Sequence, residues 1–207
     1  MTLNKSSRKH QTLEEYIDKC NPLNIDLSQQ QINDHDMSIV IYSAIRKKKC
    51  IQLKLGYNNI TCEGIEILSD ALNNNITLEM LNLFNNKISN QGVYYLTLIL
   101  SLNNSNLKVF FLGENQITDT GLSTNKISSQ GVIFLANILA HHNTTLQELH
   151  SWGNKLIDET YIDSLANMLV YNQTLNKLVL FDCNISNTSK KRLRDVVEPK
   201  KNFGLFL

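Results

Sequence analysis

Proline and glycine are scarce in this 207-residue chain, at 2 and 8 residues, and cysteine is limited to 4. With 42% hydrophobic residues and 20 Lys+Arg set against 19 Asp+Glu, the composition excludes a disordered chain. The cysteines, Cys20, Cys50, Cys62 and Cys183, are scattered and form no C-x-x-C pair. They read as free thiols of a reducing compartment, and the expected location is cytoplasmic. Charge of one sign is also lacking. A net charge of +1 offers nothing to a polyanion, so neither nucleic acid nor an anionic membrane is expected as a partner. The longest apolar run, around Val93 to Leu100, is about eight residues, against the ~20 that a spanning helix needs. The first eleven residues are polar and basic, with no apolar core of a signal peptide.

What the chain has in excess is leucine, about one residue in seven, and asparagine, about one in eight. Both follow a period. A shift of 28 residues superposes Ile25-Asp26-Leu27, Leu53-Lys54-Leu55 and Leu81-Asn82-Leu83, and a shift of 29 adds Phe110-Phe111-Leu112. Further copies lie at Leu149-His150-Ser151 and Leu178-Val179-Leu180. Each triplet is followed at a fixed distance by Gln30, Asn58, Asn86, Asn115, Asn154 or Cys183, and two residues later by Ile32, Ile60, Ile88, Ile117, Leu156 or Ile185. Helix-start residues come next: Asn33, Thr61, Ser89, Thr118, Asp158 and Ser186. Apolar pairs at i, i+4 then mark one helix face: Leu68/Leu72, Leu96/Leu100, Leu135/Leu139 and Leu165/Leu169.

The phrase Leu78-x-x-Leu81-x-Leu83-x-x-Asn86-x-Ile88-x-x-x-Gly92 resembles the leucine-rich repeats of the ribonuclease-inhibitor type, as found in NOD-like receptors. The resemblance covers about residues 21–197. It implies an α/β fold, a curved horseshoe arc of about six repeats with parallel concave strands and convex helices. It also implies a non-catalytic protein-binding module of intracellular sensing or signalling. The alternative it carries is a regulator of an enzyme, either a GTPase activator or ribonuclease-inhibitor-like. The nucleotide-binding P-loop of complete receptors is absent from the sequence.

Elementary physics arrives at the same arc. A triplet with apolar ends suits a short strand that buries its first and third residues, and the i, i+4 leucines suit a helix packed against it. One unit buries six or seven aliphatics, worth ~1.5–3 kcal/mol each, and this cannot order about 28 backbones at ~1–2 kcal/mol apiece. Neighbouring units must supply the remainder. Strands stack about every 4.8 Å and helices about every 8–10 Å, so the strand side is concave. The repeated asparagines read as structural, satisfying backbone groups at the turn after each strand.

Between Phe110 and Leu149 the spacing widens to 39, and Asn115-x-Ile117-x-x-x-Gly121 is echoed by Asn125-x-Ile127-x-x-x-Gly131. The irregular repeat, 110–148, is either one repeat with a ten-residue insertion or two repeats that have lost about 18 residues. Ten residues reach at most about 33–36 Å, too little to pass around a convex layer and return. The expectation is therefore six strands, with the strand of Phe110 directly beside that of Leu149 and residues 116–126 as a loop. At the N-terminus, Thr12-Leu13-Glu14-Glu15 resembles a capping box, and Leu13, Tyr16 and Ile17 form an apolar face, giving a helical cap over 1–20. Thr188 to Val197 reads as the last helix, stopped by Pro199, and 198–207 is an apolar tail that either folds back on the last repeat or marks where a longer solenoid was cut.

The concave positions between the buried ones are where recognition residues are sought, and aromatics concentrate there. Tyr57, Phe84, Phe111, Glu114, His150, Trp152 and Phe181 are the candidate partner-binding residues, and Trp152 is the only tryptophan. No catalytic residues, metal ligands or cofactors are expected. The set His141, His142, His150 and Cys183 fits no metal-ligand spacing, and no phosphate loop, nucleophile elbow or H-E-x-x-H is present. The basic runs Arg46-Lys47-Lys48-Lys49 and Lys190-Lys191-Arg192 read as solvated helix surface, the first suiting the C-terminal dipole. The N-x-S/T triplets at Asn59, Asn75, Asn143 and Asn172 read as turn residues of the repeat.

Overall fold

A computed structural model describes residues 13–101, 106–115, 130–154 and 160–207. Seven short parallel strands form one sheet in strict sequence order: β1 (Asn24–Asp26), β2 (Gln52–Lys54), β3 (Met80–Asn82), β4 (Val109–Phe111), β5 (Glu148–His150), β6 (Lys177–Val179) and β7 (Gly204–Phe206). The register never slips. Ile25, Leu53, Leu81, Phe110, Leu149, Leu178 and Leu205 occupy one column through the sheet. The first six members of that column are buried, and Leu205 at the sheet edge is half-buried. The period of the apolar triplet sets the register, because a slip of one residue would turn this column to solvent.

Helices return each strand to the start of the next. Residues 13–19 form α1; α2 (Met37–Val40) follows a 3-10 turn at Asp34–Asp36 and continues as a π-helix over Ile41–Lys47. Then come α3 (Cys62–Leu72), α4 (Ser89–Ser101), α5 (Gln130–His141), α6 (Thr160–Tyr171) and α7 (Asn187–Val197). The expected helix starts hold where they are described. Asn33 closes a capping box with Asp36, Thr61 accepts from the Glu63 N–H, and Ser186 accepts from the Ser189 N–H. Thr118 and Asp158 lie outside the described residues. Neighbouring helices pack on one another, and Leu68, Leu72, Leu96, Leu100, Leu135, Leu139, Leu165 and Leu169 are all buried in the core between helix layer and sheet. The result is a curved α/β solenoid with its strands on the inner side.

Buried asparagines join the units. The Asn86 amide donates to the carbonyls of Leu55, Leu83 and Phe84, while its oxygen accepts from the Ile60 N–H. Asn58, Asn115 and Asn154 repeat this pattern, each tying its own strand end to the preceding repeat. A second asparagine series lies at the helix-to-strand turns. Asn143 and Asn172 are buried and bond back to Leu100 and Leu139 of the preceding repeat, and their oxygens accept from the two backbone N–H groups at +2 and +3. Asn75 receives the same two N–H groups. These N-x-S/T triplets are therefore turn locks, as expected.

At the irregular fourth repeat, β4 pairs directly with β5, Phe110 opposite Leu149, as the reach argument requires. The expected loop over 116–126 lies outside the described residues. The strand count is corrected from six to seven among the described residues, because the tail adds β7 to the edge of β6 in parallel register. At the other end α1 buries Leu13 and Ile17 on the core and leaves Tyr16 exposed. Lys47 and Lys48, expected only on a solvated face, clasp this helix: Lys47 pairs with the Asp18 carboxylate at 2.9 Å, and Lys48 donates to the Asp18 and Cys20 carbonyls.

Candidate functional site

After each of β1 to β6 the chain passes through a residue in the left-handed backbone region at the same repeat position: Gln29, Tyr57, Asn85, Glu114, Gly153 and Asp182, with φ between 50 and 70°. Their N–H groups extend the ladder beyond the strands, Tyr57 donating to Phe84, Asn85 to Gly113, Glu114 to Trp152 and Gly153 to Phe181. Only one of the six is glycine, so five side chains stand at a conformation that L-residues adopt at a cost of roughly 1–2 kcal/mol. This column escapes a reading based on composition. The turn is imposed by the ladder and the asparagine behind it, and Asn85 and Asp182 alone among the non-glycines have the propensity to announce it.

The concave surface thus carries three adjacent columns. One holds Asp26, Lys54, Asn82, Phe111, His150, Val179 and Phe206; the next holds Ser28, Gly56, Phe84, Gly113, Trp152 and Phe181; the third is the left-handed series. The structure brings most of the expected aromatics together. Tyr57 meets Phe84 edge-on at 5.1 Å, and Phe84 stacks on Trp152 at 4.4 Å with the ring planes 30° apart. Phe84 and Trp152 belong to the third and fifth repeats, so their rings meet across the fourth. Gly113 permits this. A Cβ there would stand 2.6 Å from the Trp152 carbonyl oxygen and 3.1 Å from the Phe84 ring. In the neighbouring column Phe111 stacks on His150 at 4.3 Å. Phe181 pairs with Phe206 of β7 at 6.0 Å, and no ring contact among the described residues joins it to Trp152.

Exposure divides the set. Tyr57 and Phe181 are open to solvent, at 51% and 48%, whereas Phe84 is covered to 8% by its neighbours and serves as their support. Trp152, Phe111, His150 and Glu114 are half-buried.

Cationic groups on this face are held in cross-strand pairs: Lys54 with Asp26 at 3.7 Å, Lys108 with Glu79 at 2.9 Å, and Lys177 with Glu148 at 3.2 Å. The same Glu148 oxygen lies 3.0 Å from the His150 Nε2. The His150 hydrogen bond, followed by Lys177, holds the Glu148 carboxyl below its ordinary value. Glu114 and Asp182 carry acidic charge with no cationic partner among the described residues. Behind the face, Cys183 takes the place of the ladder asparagine. Its Sγ donates to the Ser151 carbonyl and receives the Asn154 N–H, and burial pushes its thiol up to about 11.

The histidines do not converge. His141 sits near Tyr171 on the helix side, at 5.4 Å, while His150 is in the sheet. Among the described residues no group of three or more His, Cys, Asp or Glu is placed to hold a metal ion, and no helix is long and apolar enough to cross a membrane. All four cysteines are unpaired.

Against known proteins, a family model for the leucine rich repeat matches residues 74–96, 103–124 and 171–189. No curated protein matches the sequence. Among solved structures, the chain is similar to the actin-binding site 2 of leiomodin-1, with a TM-score of 0.56 and 14% identity over 95% of this chain and 90% of that one. Internalin C2 from Listeria monocytogenes is found at a TM-score of 0.32 and 21% identity, over 96% of this chain and 90% of that one. Repeat sequence, ladder geometry and structural neighbour agree that this chain carries leucine-rich repeats folded as a curved α/β solenoid.

Proposed function

We propose that the chain is a non-catalytic protein-interaction module that holds its partner on the concave face through Tyr57, Trp152 and Phe181, with Phe84, Phe111, His150 and Glu114 supporting and flanking them. The observation that carries this reading is the aromatic tier Tyr57–Phe84–Trp152, which spans four repeats and is made possible by Gly113 in the fourth. A core has no need of such a tier on its open side, whereas exposed Tyr and Trp bury large area on a partner for little rotamer entropy. In this reading residues 21–197 are the binding domain, 1–20 its N-terminal cap and 198–207 its closing tail. The repeat length and the ladder asparagines favour the ribonuclease-inhibitor and NOD-like subtype. Four unpaired thiols suit a reducing, cytoplasmic setting. The paired lysines leave a protein, rather than nucleic acid or membrane, as the fitting partner. Leiomodin-1 uses the same fold as an actin-binding site.

The test is affinity capture followed by reconstitution of each captured pair from purified proteins. Tyr57→Ala with Trp152→Ala is expected to weaken reconstituted binding at least tenfold. Loss of the Phe84–Trp152 stack, worth about 0.5–1.5 kcal/mol, lowers the melting temperature by only about 2–4 °C per kcal/mol. Tyr171→Ala, on the exposed helix side, is expected to leave binding intact. A large stability loss with unaltered binding, or equal effects from both faces, would refute the concave reading. A captured small GTPase or nuclease whose turnover the chain alters would instead assign it as an enzyme regulator.

A further inference from the structure

The aromatic column is broken at one place. Trp152 leans toward the N-terminal repeats, onto Phe84, while Phe181 pairs with Phe206 toward the C-terminal edge. Trp152 and Phe181 follow one another in the same column of adjacent repeats, yet their rings make no contact. The left-handed column beside this opening reads Glu114, Gly153, Asp182. Gly153 bears no side chain, and the Glu114 carboxylate lies over its backbone, at the position a Cβ would take. The two rings thus diverge, and the left-handed column beside them supplies acidic residues at Glu114 and Asp182. The remaining strand-face charges of the described residues are neutralised in the pairs Asp26–Lys54, Glu79–Lys108 and Glu148–Lys177.

We infer that the opening between Trp152 and Phe181 receives a cationic side chain, an arginine, from the protein partner. The inference rests on the concave-face reading and supplies its chemistry. A guanidinium is weakly hydrated and planar, so it lies on an aromatic face while its N–H groups reach a carboxylate. Glu114 and Asp182 provide the complementary charge on either side of Gly153, and no lysine or arginine of the described chain occupies that role. An acidic or neutral segment would leave both carboxylates uncompensated as it covered them.

Trp152, the only tryptophan, reports on this place directly. Titration with a hexa-arginine peptide is expected to change its fluorescence saturably, while hexa-citrulline, of similar shape without the charge, leaves it unchanged. E114Q/D182N is expected to weaken the hexa-arginine titration at least fivefold with the melting temperature retained. E63Q/D70N, which removes the same charge from the exposed side of α3, is expected to leave it within twofold. Equal response to hexa-citrulline, or equal weakening by the two double variants, would overturn the inference. If hexa-arginine has no effect on Trp152 while a reconstituted partner still depends on Tyr57 and Trp152, the cation site falls and the concave reading stands. If neither depends on that face, both fall.

Discussion

At the scale of single residues, the ladder asparagines show how one side chain type serves two repeats at once. Asn86 bonds three carbonyls and one N–H from a buried position. Asn86→Ala orphans the buried Ile60 N–H and removes one of two donors from carbonyls that keep Asn58, Asn115 and the Tyr57 N–H. At roughly 1–3 kcal/mol for the unsatisfied group and ~0.5–1.5 kcal/mol per lost bond, a loss of about 3 kcal/mol in urea unfolding is expected. Cys183→Ala removes a thiol that makes weaker bonds at the end of the same series, and about 1 kcal/mol is expected. Equal losses at the two positions would show that the asparagine is filling space rather than bonding. The structural role of these asparagines was legible in the sequence because their spacing tracks the apolar triplet. The left-handed column beside them was not. Gln29, Tyr57 and Glu114 have no preference for that conformation, and the cost they carry is offset by a ladder visible only once the strands are paired.

At the scale of elements, the helix over 13–19 was readable from the apolar face of Leu13, Tyr16 and Ile17, but its attachment was not; the expected capping box begins at Thr12, outside the described residues. Lys47 and Lys48 sit in a basic run that looks the same whether it is solvated or engaged. The structure sets Lys48 on the carbonyls of Asp18 and Cys20, which are orphaned at the end of α1, and thereby joins the cap to the first repeat. Lys48→Met keeps the stem and removes the donor. The expected outcome is faster amide exchange across residues 13–19, a stability loss of about 1 kcal/mol, and unchanged exchange in β5 and β6. Uniformly faster exchange throughout the chain would mean instead that the cap and the distant repeats open as one unit. The adjacency of β4 and β5 was settled from sequence by chain reach alone, since a ten-residue excess cannot carry a strand around the convex layer.

The whole molecule is a stack in which each unit leans on its neighbours, so the ends decide how much of the stack stays closed. In the described residues the edge of β6 is covered by β7, whose signal in the sequence, Leu205-Phe206-Leu207, repeats Leu178-Val179-Leu180 at a shift of 27. The shorter shift and Gly204 at the strand start disguised it as a tail. In the structure the Leu180 N–H donates to the Phe206 carbonyl at 2.7 Å and the Gly204 N–H to Asn176 at 2.8 Å. Phe203, Leu205 and Leu207 cover the core edge, each partly buried. Three half-buried apolar side chains, at ~1.5–3 kcal/mol for full burial, make this closure worth about 2–4 kcal/mol. A chain ending at residue 202 should lose that amount, and the loss should be graded along the stack, because contacts are made only between neighbours. Amide exchange is expected to rise most in β6 and α7, less in α6, and least in β2 and β3. The aromatic surface should respond in the same order: Phe181 loses its Phe206 partner, whereas Tyr57, Phe84 and Trp152 keep theirs. Trp152 fluorescence is therefore expected to stay close to that of the full chain while the melting temperature falls. If melting and exchange are both unchanged, β7 contributes nothing to closure; if Trp152 shifts as much as the end repeats, the stack behaves as one cooperative block.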